Sequence, residues 1–173
     1  AKLVYDVNFL YVIFRVDDNY IKAVNTEYGS SVCLDSCVEF FFTPSTDISQ
    51  GYFNAEINCS GTMLLRHQKA AGIETIVISE TDAKKFEIFS TFKGKVEPEI
   101  TQPTEWVVEY KIPYEILKKY APVTKPAAGV QWRGNFYKCA DSTSKPHWLT
   151  WNKVELPRPN FHRPEFFGIL KFK

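Results

Sequence analysis

The sequence predicts an all-β chain folded as an antiparallel β-sandwich, with one short helix near residues 114–120. Three observations carry this. Short runs rich in Val, Ile, Phe, Tyr and Thr recur along the chain. Clusters of Gly, Pro, Asn and Ser interrupt them at short intervals. A helical pattern with a start signal occurs once. Short strands in this number bury their apolar faces by packing as two sheets.

In chain order, Lys2 to Asp6 and Phe9 to Val16 read as strands joined by a tight Val7-Asn8 turn, and Asp17-Asp18-Asn19 ends the second. Ile21 to Thr26 follows, then the Tyr28-Gly29-Ser30-Ser31 turn. Asp35 to Phe42 (DSCVEFFF) is a strand stopped by Thr43-Pro44-Ser45. Gly51 to Cys59 (GYFNAEINC) and Thr62 to Leu65 form a hairpin about Ser60-Gly61. Residues 66–84 are mixed and polar around an apolar patch at 75–78, and are expected to be a surface excursion. Phe86 to Phe92 and Trp106 to Ile112 alternate as strands do. Pro113 then opens the helix Tyr114 to Tyr120, because the first helical turn leaves its missing N–H without a partner to lose. Ala121 to Gly129, with Pro122 and Pro126, is a stiff connector to strands near Val130 to Cys139 and Phe167 to Phe172.

Residues 1–173 are expected to form one domain, long enough to bury a core without covalent staples. The formal net charge of +1 supplies no field that would recruit nucleic acid or an anionic membrane. No apolar run approaches the roughly 20 residues that span a bilayer. A basic, apolar and small-residue leader does not open the sequence at Ala1, which is compatible with a trimmed leader or neighbouring domain. None of Cys33, Cys37, Cys59 and Cys139 forms a CxxC pair, which argues against a zinc site. Cys33 and Cys37, about 13 Å apart in extended chain, are too distant to bridge. Free buried thiols are expected, with a Cys37–Cys59 bridge as the alternative.

Side chains alternate across a strand, so parity sorts them onto faces. Val38, Phe40 and Phe42 oppose Cys37, Glu39 and Phe41. Phe53, Ala55, Ile57 and Cys59 oppose Tyr52, Asn54, Glu56 and Asn58. Trp132, Gly134 and Phe136 oppose Arg133, Asn135, Tyr137 and Cys139. If the polar faces adjoin, Glu39, Glu56, Asn58, Arg133 and Asn135 line one concave surface; the competing reading is the solvated outside of a half-exposed sheet. The segment from Gly129 onward adds three of the four tryptophans and two of the three histidines. Flat rings beside directional polar groups suit a ring-shaped polar ligand such as a sugar. Pro146, Pro157, Pro159 and Pro164 place Trp148 and Phe161 in exposed loops near His162, whereas the alternation WLTW favours a core position for Trp151.

The ordered set DSCVEFFF, GYFNAEINCSGTMLL, W-x-x-E-Y-K-I-P-Y-x-x-L, W-R-G-N-F-Y-K and F-H-R-P-E-F-F-G-I-L-K-F resembles the carbohydrate-binding module family 9-like domains, within the wider DOMON-like group, from about Leu3 to Phe172. The resemblance implies a β-sandwich that binds sugar without catalysis, as part of a larger polysaccharide-processing protein. Founding modules clamp a terminal glucose or cellobiose unit between two tryptophans, and some hold structural calcium. Transferred by position, Phe161 takes one clamp place, and Glu39, Glu56, Asn58, Asn135 and Tyr137 take polar places. Val32-Cys33-Leu34 stands where the other ring belongs, leaving Tyr28 or Trp148 to supply it. Binding a polysaccharide would place the protein outside the cell or in a periplasm.

Three other readings stay open. An accessory domain that has lost sugar binding would explain the missing ring. Haem-binding relatives use Met and His, and Met63 with His67, His147 or His162 offers that pair. A glycosidase would need two carboxyls such as Glu39 and Glu56 across a bond. No Ser-His-Asp or metal-ligand spacing accompanies them, so the chain reads as a non-enzyme with no cofactor.

Overall fold

The computed structural model describes residues 1–173. Thirteen strands form the scaffold: β1 Lys2–Tyr5, β2 Phe9–Asp18, β3 Ile21–Ala23, β4 Cys37–Thr43, β5 Tyr52–Asn58, β6 Met63–Gln68, β7 Ile76–Val77, β8 Ile88–Ser90, β9 Val96–Ile100, β10 Thr104–Pro113, β11 Gln131–Cys139, β12 Trp148–Thr150 and β13 Gly168–Lys171. Two single-turn helices accompany them, α1 Glu80–Ala83 and α2 Tyr114–Leu117. One sheet runs β1-β2-β10-β8, and the larger runs β12-β11-β4-β5-β6-β7, with β13 also pairing β11. β3 and β9 make a separate ribbon. Every pairing is antiparallel. The all-β sandwich expected from the sequence is the fold observed.

The parity assignments explain how the sheets meet. Val38, Phe40 and Phe42 of β4, Phe53, Ala55 and Ile57 of β5, and Trp132 of β11 join Leu10, Val12 and Phe14 of β2 and Trp106, Val108 and Ile112 of β10 in a core cluster of 29 buried residues. Close packing explains Gly134: a Cβ there would stand 2.9 Å from the Phe41 carbonyl oxygen and 3.2 Å from Phe40 Cε2. The Val7-Asn8 turn closes because the Asp6 carboxylate accepts from Asn8 N and Phe9 N at 2.7 and 2.8 Å.

Several expectations change. The helix after Pro113 is one turn, followed by a tight turn that ends with Ala121 N donating to Leu117 O at 3.0 Å. Residues 66–84 are not a bare surface excursion. β6 continues to Gln68, β7 pairs with it, and Ser79 Oγ caps α1 by accepting from Asp82 N. Ile78 is fully buried there, sealing one end of the core. The strand near 86–92 shrinks to β8, because Lys84–Phe86 form a 3-10 turn. β9 and β12 were not foreseen; β9 carries Pro98, which only a strand free on one side accommodates.

Every residue of β4 and β5 is buried, on both faces. Neither the solvated outer face nor the open concavity describes this sheet. The turn Val32–Leu34 and the loop between β12 and β13 lie over its outer side, forming two small clusters. One holds Val32, Cys37, Leu64 and Cys139; the other holds Phe41, Tyr52, Tyr137 and Phe167; Phe161 packs against both.

Candidate functional site

Between those clusters lies a cavity of about 220 Å³, lined by Cys33, Glu39, Glu56, Cys139, Asp141, Trp148, Pro159, Asn160, Phe161 and His162. Strand pairing builds its floor. Glu39 stands opposite Glu56 on β5 and opposite Tyr137 on β11, so two carboxyls lie side by side. The walls come from loops. Phe161 lies flat on Tyr137, with centroids 4.1 Å apart and planes within 11°, and Tyr137 Oη donates to Phe161 O at 3.2 Å. Trp148 is held at the rim by Nε1 donating to Asp141 Oδ1 at 2.8 Å, and 42% of its surface remains open.

A polar relay orients the floor. Gln68 Nε2 donates to Asn54 Oδ1 at 3.0 Å, and Asn54 Nδ2 donates to Glu56 Oε1 at 2.8 Å. His162 Nδ1 lies 2.9 Å from Tyr52 Oη and 3.1 Å from Gln68 Nε2. The amide can only donate, so Nδ1 accepts and His162 carries its proton on Nε2. Burial, aided by the nearby Arg66 charge, lowers the His162 pKa and keeps the ring neutral.

Burial also governs the acids. It pushes Glu39 well above the usual carboxylate range, with Cys139 and Glu56 adding to the shift. It raises Glu56 to about 7, against the Asn54 hydrogen bond and Arg66. Asp141 is raised by burial and held back by the Trp148 hydrogen bond. Arg66 forms no ion pair with any of them. Burial therefore favours the protonated form of these acids.

The four cysteines are free. A Cys37–Cys59 bridge is ruled out by register: Cys37 sits opposite Asn58 and Cys139 on the outer face, while Cys59 joins the core. Cys139 Sγ donates to Glu39 Oε1 at 3.0 Å. Donor atoms of Cys37, Glu39 and Cys139 lie within 4.8 Å of one another, a grouping that the cysteine spacing did not reveal and that could hold a metal ion. Burial raises Cys33 and Cys37 to about 12, and the Cys37 hydrogen bond, with burial behind it, raises Cys139 further, so these thiols are poor nucleophiles.

Of the residues singled out in the sequence, Glu39, Glu56, Trp148, Phe161 and His162 meet in the cavity, and Tyr137 supports Phe161 from beneath. The structure does not bring the others there. Asn58 closes the β5–β6 hairpin: its Nδ2 donates to Asp35 Oδ2 and Asn25 O at 2.8 and 2.9 Å, and its Oδ1 accepts from Ser60 N and Thr62 N at 3.2 and 3.0 Å. Arg133 Nε donates to Phe167 O at 2.9 Å, fastening the returning chain. Asn135 clasps Asn152, donating to its O and accepting from its N, both at 2.8 Å. Trp151 is neither core nor site. It is 55% exposed at another edge, over Gly168, where a Cβ would meet its ring at 2.6 Å.

Trp148, not Tyr28, is the second ring that lines the cavity. Tyr28 Oη donates to Ile78 O at 2.7 Å and faces a different cavity. The haem-type pair of Met63 with His67 is not drawn together. Met63 and His67 share one strand, roughly 13 Å apart, and no histidine lines the cavity that Met63 touches. Cys33, Cys139, Asp141 and Asn160 line the cavity but were not selected. Only Cys139 had a signal, the parity it shares with Tyr137.

The fold and cavity define a β-sandwich with a recessed pocket of rings and carboxyls under a C-terminal loop. Residues 2–172 match the model for carbohydrate-binding family 9, and the chain belongs to that family. It is similar to a "putative carbohydrate-binding protein" from Bacteroides uniformis ATCC 8492, with TM-score 0.85 and 30% identity over 96% of this chain and 74% of that one. It also shares its fold with a family 9 module from Caldicellulosiruptor kristjanssonii in complex with glucose, with TM-score 0.63 and 17% identity over 99% of this chain and 74% of that one. A module from the same organism in complex with cellotriose has TM-score 0.60 and 19% identity over 99% and 72%. No curated protein matches the chain.

Proposed function

We propose that the chain binds a carbohydrate without turning it over, taking one sugar ring into the cavity between β4, β5 and the C-terminal loop. The observation that carries this reading is the convergence of two rings, Trp148 and Phe161, with the buried Glu39 and Glu56 in one recess. Apolar ring faces of a sugar stack on aromatic planes, while hydroxyls meet Glu39, Glu56, Asn160 and the Nε2–H of His162. A cavity of about 220 Å³ suits one ring rather than an enclosed chain. A terminal or branch residue of a poly- or oligosaccharide fits that size.

Two features argue against a glycosidase. Glu39 and Glu56 are cross-strand neighbours on one floor, whereas hydrolysis needs carboxyls on both sides of the bond. The second is the sequence, which carries no Ser-His-Asp or metal-ligand spacing beside these carboxyls. The reading requires no cofactor and makes no use of structural calcium. Residues 1–173 would act as one binding unit serving a larger polysaccharide-processing protein. Isothermal titration against monosaccharides and short oligosaccharides tests it: a folded protein that binds none of them is an accessory domain, and the proposal fails.

A further inference from the structure

The cavity has an unusual charge make-up for a site that meets a neutral sugar. Its lining contains Glu39, Glu56 and Asp141 but neither Lys nor Arg. Glu39 and Glu56 are only 3% and 4% exposed, and both open into the recess. Their protein partners are few: Cys139 Sγ donates to Glu39 Oε1, and Asn54 Nδ2 donates to Glu56 Oε1. Buried carboxyls without a cation must either keep a proton or receive positive charge from elsewhere.

We propose that this pocket selects an amino sugar with a free amine, its ring against Trp148 and Phe161 and its ammonium among Glu39, Glu56 and Asp141. The proposal rests on the carbohydrate-binding reading above and names the class of sugar. An ammonium offers three donors and no acceptor, while an ionised carboxylate only accepts, so one amine can serve three acids. The aromatic walls add attraction, because a cation beside a ring face meets its negative quadrupole. Glu39, Glu56 and Asp141 line one recess beside both rings, so a ring seated against Trp148 and Phe161 brings its amine to the acids.

The groups facing the two glutamates limit what else could supply the charge. β4 contributes Cys37, and β11 contributes Tyr137 and Cys139, all uncharged when protonated. β5 contributes Asn54, and the loops contribute Cys33 and the neutral His162. Arg66 on β6 is the one nearby cation; it lowers the Glu56 pKa through space but neither pairs with it nor lines the cavity. A cation facing these carboxylates would therefore come with the ligand.

Titration calorimetry at neutral pH with glucosamine, glucose and N-acetylglucosamine tests the proposal, run with and without a chelator. Glucosamine should bind at least tenfold tighter than the other two. Glu39→Gln and Glu56→Gln should remove that preference while leaving the melting profile cooperative. Glucose binding as tightly as glucosamine would overturn the amine assignment and leave the carbohydrate reading standing. Sugar binding abolished by the chelator would also overturn it, because a divalent ion would then be the missing charge. If the folded protein binds none of the three sugars, and no oligosaccharide either, both readings fall.

Discussion

Trp148 and Trp151 lie three positions apart, are both exposed, and make opposite predictions. Trp148 is 42% open at the cavity rim, and a tryptophan presents up to roughly 250 Å², so about 100 Å² of ring is available. A sugar covers about one face, or roughly 50 Å². At about 25 cal/mol per Å² this contributes near 1.3 kcal/mol, close to tenfold in affinity. Trp148→Ala should therefore weaken sugar binding about tenfold. Folding should change little, because an exposed ring with one rim hydrogen bond contributes about 1 kcal/mol or less. Trp151→Ala should leave binding unchanged, since its ring stands over Gly168 away from the cavity. Titration calorimetry reads both variants, and in Trp151→Ala the fluorescence of Trp148 gives a second readout because Trp106 and Trp132 are fully buried. Lost affinity in Trp151→Ala with Trp148→Ala unaffected would refute the placement of the site.

Other consequences concern stability and reactivity. The Glu56 pKa of about 7 lies above that of an unfolded glutamate, so the native state holds a proton that the unfolded chain has lost. Stability should fall as pH rises from about 4.5 to about 7, by a few kcal/mol, and Glu56→Gln should flatten that slope in melts across the range. Asn58→Ala should cost about 2 kcal/mol in denaturant titrations, because it removes one of the three donors to the buried Asp35 carboxylate and opens the β5–β6 turn. Lys138 Nζ lies 2.6 Å from Asp18 Oδ2, each side chain 8% exposed, so Lys138→Met should cost about 3 kcal/mol by leaving a buried charge unpaired. Burial opposes ionisation of Asp18, yet the Lys138 hydrogen bond and charge hold its pKa below the usual value; this contribution is present at neutral pH and lost as acid protonates Asp18. Thiol labelling at pH 8 should be slow in the folded protein, with partly exposed Cys33 modified before Cys37, Cys59 and Cys139. Fast labelling of all four without unfolding would show that the sheet's outer side is open.

The sequence by itself determined most of the strands and their faces. Period-two alternation in β4, β5 and β11 separated Phe40, Ala55 and Trp132 from Glu39, Glu56 and Tyr137, because the pleat sends alternate side chains to opposite sides whatever the neighbours are. The ordered motifs also carried the family. Alternation could not show which strands adjoin, so the stacking of Glu39 against Glu56, and of Cys37 against Cys139 rather than Cys59, waited on the register. It was silent about the segment from Trp151 to Phe167, whose irregular backbone has no period to read. Only the tertiary structure decided that this loop folds back over the polar face. That return ties Arg133 and Asn135 into structural hydrogen bonds and leaves Glu39 and Glu56 open to a recess, while the pairing of β12 with β11 sets Trp148 at the rim with Cys33. Faces are local properties of a strand; a pocket depends on which distant segment covers them.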